Sequence, residues 1–388
     1  MATSGAGLRR SLTKTYLAGA EALTHHMLRR RSGQRDFRRV IVVAALSRNN
    51  GIASGARLQW AALRQLGIDA ELLDATPALR NPLFRLPHRP GTAYVFHAGA
   101  PETALLIRSV LPHAATAFRV AYWAWELPDP PQDWAGCDRN VAEIWTPSAF
   151  SRSSLARLCD QPIHVVPHYV PPHPRRRRHQ GRPFTVLAMA DSRSSLSRKN
   201  PDGAVRAFRT AFGASPDARL VLKLSGRDGA LRALEGALGD LTAAGNIELV
   251  KTHLDERALT ALYQRTDVLL SLHRAEGFGL PMAEAMAHGV PVVATGWSGN
   301  LTFMSAADSL LVPYRLVPVD DAASIYGGST WAEPDIAAAA AALRRLEGDP
   351  AHYAEIAAAA HARISHTAPD FPFDPPVAER RGWEAVPA

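Results

Sequence analysis

From residue 38 onward, apolar residues come in short continuous runs separated by segments with helical spacing. The runs at 39–46, 70–73, 93–97, 119–124, 143–146 and 163–167 have the length of buried strands. Helix-length stretches such as 53–66 and 101–110 lie between them. Strands alternating with helices predict βαβ units and a parallel sheet. A second series repeats the rhythm, with strands at 184–189, 219–224, 247–251, 267–272, 291–295 and 309–313. Its intervening helices are predicted at 204–212, 231–241, 256–264 and 282–288, and two Ala-rich helices at 336–346 and 351–364 close it. Between the two series, residues 166–183 are rich in proline and carry four consecutive arginines, a composition that supports neither helix nor strand. The arginines read either as a solvated linker or as a phosphate site. The expected organisation is an N-terminal arm (1–36), a Rossmann-like domain (37–170), a linker (171–183), a second Rossmann-like domain (184–366) and a tail (367–388) without regular structure. Ligands of such sheets collect beyond the carboxyl ends of the strands, so the site is expected in a cleft between two domains facing each other.

The length of 388 residues agrees with two cores rather than one. Hydrophobic (47%) and charged (21%) fractions are those of globular proteins, which excludes general disorder. Cys137 and Cys159 form no C-x-x-C pair, and no apolar run approaches the roughly 20 residues of a membrane span. The net charge of +8 is concentrated: residues 1–39 hold nine Lys/Arg against Glu21 and Asp36, so the other residues carry only +1. A generally basic, nucleic-acid-binding surface is therefore not implied, and no nucleic-acid partner is expected. In the arm, Leu8, Leu12, Tyr16, Ala20, Leu23 and Met27 recur at spacings that predict one apolar helix face, flanked by Arg9, Arg10, Lys14 and Arg29, Arg30, Arg31. Three readings stay open: contact with an anionic membrane surface through residues 8–31, a helix packed on its own domain, and a processed or disordered segment.

The stretch with most chemistry is 267–304. A buried strand feeds the turn Glu276-Gly277-Phe278-Gly279-Leu280, and Pro281 opens a helix in its first turn, where the missing N–H costs nothing. The glycines let backbone approach a ligand, and helix-start N–H groups favour an anion. Glu284 sits in that first turn, where the helix dipole favours a carboxylate. A second strand leads to Gly296-Trp297-Ser298-Gly299-Asn300 at the same sheet edge. Amide donors for a phosphate beside carboxylates for hydroxyls suit a nucleotide sugar. Taken singly, Glu284 reads as an exposed surface glutamate and Glu276 as a turn residue; the pair, E-x7-E around GFGLP, is far more specific.

On these residues the chain resembles the retaining glycosyltransferases of family 4, whose fold is GT-B. Residues 190–201 (ADSRSSLSRKNP), His273-Arg274-Ala275-Glu276-Gly277-Phe278-Gly279 and Trp331-Ala332-Glu333-Pro334-Asp335 resemble a mannosyl/rhamnosyl-transferase-like subgroup, as do Tyr122-Trp123-Ala124-Trp125-Glu126 and residues 143–150 (EIWTPSAF). The resemblance spans roughly 93–343. It implies that Glu276 lies by the donor sugar and diphosphate, that Glu284 bonds the ribose, and that Gly277, Phe278, Gly279 and Leu280 contact the donor. It also implies that Lys199 and either Arg193 or Arg198 hold the diphosphate, with Ser194 a further donor-binding candidate. Arginines outnumber lysines here by 40 to four, so Lys199 and Lys223 stand out as compact point charges, and Lys223 is a further donor-side candidate.

No D-x-D pair, H-E-x-x-H, G-x-x-x-x-G-K-[ST] or post-strand G-x-G-x-x-G occurs, so metal, P-loop and dinucleotide chemistry lose support. No cofactor is expected beyond the nucleotide sugar as co-substrate. On the acceptor side, Gly51, Ser54 and Gly55 follow the first strand, His97 closes a later one, and Trp123 and Trp125 offer faces for sugar rings or serve as core residues. Glu126, a carboxylate beside aromatic rings, is the acceptor-side candidate for a catalytic role with Glu276 and Lys199. The expected activity is hexose transfer to a glycan or lipid-linked acceptor in cell-surface polysaccharide synthesis. The expected location is cytoplasmic, at the inner face of the plasma membrane if the arm docks there. The rivals are another GT-B reaction such as sugar-nucleotide epimerisation, and a silent carbohydrate-binding or membrane-docked scaffold.

Overall fold

A computed structural model describes residues 3–28, 37–48, 50–81, 83–87, 89–111, 115–176, 178, 181–242, 245–252, 254–321 and 326–372. Arg29, Arg30, Arg31, Arg177 and the tail from 373 lie outside the described residues, as do the side chains of Leu8, Arg9 and Arg10. The chain divides into two compact units. The first comprises residues 1–125, 129–169 and 369–388; the second comprises 126–128 and 170–368.

In the first unit the order is α1 (Thr3–Leu28), β1 (Arg39–Ala44), α2 (Gly51–Gln65), β2 (Ala70–Asp74), α3 (Thr76–Arg80), β3 (Thr92–His97), α4 (Ala100–Ser109), β4 (Phe118–Tyr122), β5 (Glu143–Thr146), α5 (Ala149–Leu155) and β6 (Ile163–Val165). The six strands form one parallel sheet in the order β2-β1-β3-β4-β5-β6. Its inner strands are buried on both faces, and so they read as continuous apolar runs without alternation. Val40, Val42, Val95 and Val120 pack in one core with Ala56 and Leu63 of α2. Asn50 starts α2 because its side chain accepts from Ala53 N at 3.1 Å.

The second unit continues with β7 (Phe184–Asp191), α6 (Leu196–Lys199), α7 (Pro201–Phe212), β8 (Ala218–Ser225), α8 (Asp228–Thr242), β9 (Ile247–Val250), α9 (Glu256–Gln264), β10 (Val268–Ser271), α10 (Leu280–Ala287), β11 (Val292–Thr295), β12 (Leu310–Val312), β13 (Tyr314–Pro318), β14 (Thr330–Pro334), α11 (Ile336–Gly348) and α12 (Pro350–Ser365). Its parallel sheet runs β12-β11-β10-β7-β8-β9, so β7, which leads into the Lys199 segment, is central and adjacent to β10, which leads into Glu276. The core joins this sheet to Val205 and Phe208 of α7 and to Leu343 and Leu346 of α11. The antiparallel pair β13–β14 is absent from the predicted strands: β13 is largely exposed, and β14, although it buries Trp331 and Ala332, interrupts them with Glu333 and proline, so neither carries the apolar run that marks the other strands.

Two expectations change. Much of the described part of 171–183 is exposed, but Arg176, Arg178 and Arg182 are anchored to the second unit rather than solvated. Arg176 bonds the carbonyl of Thr266 and reaches Asp267 at 2.7 Å, and Arg182 reaches the same carboxylate at 3.2 Å. Asp267 is buried and also accepts from Thr185 N at 2.9 Å. Arg178 donates to the carbonyls of Leu346 and Glu347 at the C-terminal end of α11 and lies over the rings of Phe184 and Tyr353. These three arginines are pinned by a buried carboxylate and by carbonyls at a helix end, partners that no local pattern could announce.

The arm is a helix, but of the apolar stripe read from its spacing only Ala20, among the side chains described, lies on the face that packs. Ala20, Thr24 and Leu28 are buried, and Thr24 Oγ1 donates to Ala20 O at 2.7 Å and lies 3.3 Å from Ala104 O of α4. Leu12, Tyr16, Leu23 and Met27 face outward. Lys14 pairs with Asp133 at 2.9 Å.

Candidate functional site

The motif residues of the second unit converge because three short segments end at the same sheet edge. After β7, Ser195 caps α6 by accepting from Arg198 N at 3.0 Å, which turns the chain so that Arg198 and Lys199 leave from one short helix. Asn200 adopts φ 52, ends that helix, and caps α7 by accepting from Gly203 N at 3.1 Å. Its amide also donates to Leu272 O at 2.9 Å, tying the segment to the end of β10. Pro201 then takes the first helical position. Each member of the S-x-x-R-K-N-P run therefore has a geometric task.

The turn after β10 is stitched to the turn after β11. Glu276 N donates to Ser298 Oγ at 2.9 Å, and Gly299 N donates to Glu276 O at 2.8 Å. A Cβ on residue 299 would lie 2.1 Å from the Gly277 carbonyl, so only glycine lets the two backbones meet. Gly279 has φ 99, a conformation other residues rarely adopt, and precedes α10. Ser298 holds φ 80 without being glycine, a strained backbone of the sort found where structure is held for function. His273 is buried below the turn, 3.2 Å from both Trp297 O and Asn300 Oδ1.

Glu276 is the centre of this arrangement. Its carboxylate pairs with Lys199 Nζ and with Arg198 Nη1 at 3.3 Å. Burial would raise its pKa, but the charges of Lys199 and Arg198 outweigh that and hold it down at about 2. Arg198 is itself buried, donates to Ala275 O at 2.6 Å, lies 3.6 Å from Glu126 and sits over the ring of Tyr326. Burial would lower the pKa of this guanidinium, yet Tyr326, Glu276 and Glu126 outweigh it and hold the charge well above the ordinary range. Two carboxylates and two cations thus alternate over a few ångströms, and Glu126 belongs to the second unit with them.

Glu284 behaves oppositely. Burial pushes its pKa up to about 7, only partly offset by the hydrogen bond from Tyr263 Oη at 2.8 Å. One glutamate of the pair is a fixed anion and the other sits close to neutrality. Sequence reasoning misses Tyr263; it lies on α9, far from the motif, and no pattern marks it. The same is true of Tyr326, whereas Ser298 lies in the second glycine-containing turn that the sequence places at the same sheet edge, without its own task being legible there.

The other donor-side candidates divide. Arg193 is partly exposed and paired with Asp191 at 2.6 Å, and Ser194 Oγ donates to Asp191 O at 2.9 Å, so both stand on the loop after β7. Lys223 is buried on β8 opposite Met189, donates to Leu224 O at 3.3 Å, and has its pKa lowered by burial. Gly277, Phe278, Gly279 and Leu280 form the turn into α10, where Phe278 packs its ring 4.8 Å from Phe303.

In the first unit the aromatic candidates are core residues. Trp123 is fully buried and donates to Thr103 Oγ1 at 2.8 Å; Trp125 donates to Asp129 O at 2.9 Å and packs edge-on against Trp134. Their faces are covered by protein, which removes them from stacking on a sugar. His97 is buried too, stacked on Tyr122 and 2.5 Å from Gln59 Oε1. Gly51 is exposed and Ser54 half-buried at the start of α2, whereas Gly55 is buried where a Cβ would strike His168 at 2.4 Å.

Parts of the chain are similar to known proteins. A D-inositol 3-phosphate glycosyltransferase of Corynebacterium aurimucosum is 30% identical over 128 residues, which is 32% of this chain and 30% of that protein. Among solved structures, Anabaena HepE in complex with UDP and glucose superposes with a TM-score of 0.61 at 13% identity, covering 85% of this chain and 95% of its own. A point mutant of Staphylococcus aureus TarM in complex with fondaparinux, alpha-GlcNAc-glycerol and UDP gives 0.55 at 13%, covering 72% and 52%. The chain thus spans less than a third of the curated relative's length and about half of TarM's. At these identities the structural likeness is one of fold, and that fold is GT-B, with two Rossmann-like α/β units. Residues 149–369, more than half the chain and carrying Lys199, Glu276 and Glu284, match the model described as Family 4 Glycosyltransferase in conflict systems, and the chain belongs to that family.

Proposed function

We propose that the protein is a retaining glycosyltransferase of the mannosyl/rhamnosyl-transferase-like kind, moving a hexose from a nucleotide diphosphate sugar to a glycan or lipid-linked acceptor in cell-surface polysaccharide synthesis. The observation that carries this reading is the convergence of Lys199 and Arg198 on Glu276, at the edge where β7 and β10 end. Lys199 is the more exposed of the two cations, so it is the one placed to exchange Glu276 for an incoming diphosphate. Its ammonium then opposes the negative charge that grows on the leaving group. Arg198 stays buried and keeps Glu276 ionised beside the donor sugar. Arg193, on the exposed loop, is the arginine suited to the diphosphate. Glu284, near neutrality, is suited to a ribose hydroxyl. Glu126 joins the cluster through Arg198. The acceptor hydroxyl would be deprotonated with help from the departing phosphate, giving substitution on the same face of the sugar.

UDP occupies the HepE and TarM structures, which makes uridine nucleotides the first donors to try. Peripheral contact between residues 8–31 and a membrane, at the inner face of the plasma membrane, belongs to the same reading, since a lipid-linked acceptor resides there. A thermal-shift screen with UDP, GDP, dTDP and their sugars should show stabilisation by one nucleotide class. Transfer with that donor should fall by about 10²–10³-fold in Lys199→Ala while the nucleotide-free protein stays folded; undiminished turnover would overturn the site.

A further inference from the structure

Glu284 shares its helix with a buried ring. His288 caps α10 four residues further on, so the two side chains lie on one face of the helix. Tyr263, from α9, lies across both. Its hydroxyl donates to Glu284 Oε2 at 2.8 Å, and its ring stacks on that of His288 with centroids 5.3 Å apart and planes 23° from parallel. The ring of His173 stacks on His288 as well, at 4.0 Å and 12°. Backbone bonds hold His173 there: its N–H donates to Ala287 O at 3.0 Å, Arg176 N donates to His288 O at 3.1 Å, and His361 of α12 donates from Nε2 to His173 O at 2.7 Å. The first two bonds satisfy carbonyls that a helix C-terminus leaves open. A row of three rings thus leads from half-buried His173 through buried His288 and Tyr263 to the second carboxylate of the E-x7-E pair.

The imidazole of His288 serves its neighbours with its faces. Among the described residues no hydrogen bond ends on its ring nitrogens. Burial, with His173 and His361 close by, pushes its pKa down to about 4, so the ring is uncharged at neutral pH. The phenol of Tyr263 is the group that needs aiming. It has a single proton and two oxygen acceptors, Glu284 and the carbonyl of Pro281 at 3.3 Å, so the tilt of its ring decides which one receives it. We propose that His288, backed by His173, is a positioning residue for nucleotide binding: the stack fixes the ring of Tyr263 so that its hydroxyl goes to Glu284, the carboxylate assigned to the donor's ribose. The inference deepens the functional reading and rests on it for the role of Glu284. A flat ring at 288 is the essential part, because an aliphatic side chain would fill the space and leave the tilt free.

The test is a double-mutant cycle on the full chain, read as calorimetric affinity for UDP, with GDP and dTDP in parallel. His288→Ala should weaken binding by about two- to fivefold, no more than Tyr263→Phe does, because its effect passes through the phenol. In the Tyr263→Phe background His288→Ala should cost nothing further, since no hydroxyl is left to aim. His288→Phe keeps a flat ring and should bind like the wild type. His173→Ala, at a half-buried position where folding is not at risk, should weaken binding in the same direction by less. With a sugar nucleotide the change should fall on the donor KM and not on kcat, because the ribose lies away from the breaking bond. A lower melting temperature in His288→Ala with unchanged affinity would make the ring core filling alone and overturn the inference. Costs that add across Tyr263→Phe and His288→Ala would overturn it too, as would failure of His288→Phe to restore binding. A wild-type protein that binds none of the three nucleotides would remove the role of Glu284, and with it both the functional reading and this inference. Binding that every variant keeps in full would remove this inference alone.

Discussion

The loop Glu276–Leu280 in the second unit and the strand end Trp123–Trp125 in the first both stand out by motif, yet the fold uses them differently. In the second unit, charged residues from segments far apart in sequence meet at one sheet edge, and backbone strain at Asn200 and Ser298 holds them there. In the first unit the tryptophans are built into the core with their N–H groups satisfied. A motif can mark a fold's scaffold as readily as its chemistry. Burial with every polar group paired by neutral neighbours indicates scaffold, whereas buried opposite charges gathered where two strands end beside glycine-containing turns indicate a site.

Substitutions should separate the two regions. The largest effect on stability is expected from Trp123→Ala, a loss of about 3–5 kcal/mol from the cavity it leaves, read as a lower melting temperature. Glu276→Ala should approach it, at about 3–5 kcal/mol, because Arg198 would stay buried without its main partner, and transfer should vanish as well. Lys199→Ala should do the reverse of Trp123→Ala. Turnover should fall by about 10²–10³-fold, as for loss of one group stabilising transition-state charge, with a shift in stability below about 2 kcal/mol. A collapse of stability in Lys199→Ala, or unaffected stability in Trp123→Ala, would erase the distinction.

The two glutamates of E-x7-E offer a finer test within the second unit. The pKa of Glu276 is depressed to about 2, so it contributes stability above the unfolded value of 4.5 that is lost as pH falls toward 2. That of Glu284 is raised to about 7, so the folded state holds its proton more tightly and stability falls as pH rises from 4.5 to 7. Glu284→Gln should flatten the stability–pH curve between 4.5 and 7 and leave the acid limb in place. The smallest effect is expected from Tyr263→Phe. Loss of its hydrogen bond moves the Glu284 pKa further up, and nucleotide affinity should drop by about two- to fivefold, measurable by thermal shift.

Much of the fold is legible because buried parallel strands and amphipathic helices write themselves locally, as 184–189 and 204–212 do. The pair β13–β14 is not, since β13 is largely exposed and β14 is too short and too broken by Glu333 and Pro334 to show an apolar run. Within the site, Lys199, Glu276 and Glu284 stand out through spacing in a strand–loop–helix context. Tyr263 and Tyr326 do not, because what joins them to the site is distance in space.

The amino-acid order by itself determined two α/β series, the glycine-containing turns, the caps around Lys199 and the concentration of charge in the first 39 residues, all of which depend on near neighbours. Only the tertiary structure decided which arginine is buried on Glu276, that the arginines near residue 176 clamp Asp267, and which face of α1 is left open. Those outcomes depend on burial and on partners tens of residues away, and both exist only once the sheets have formed.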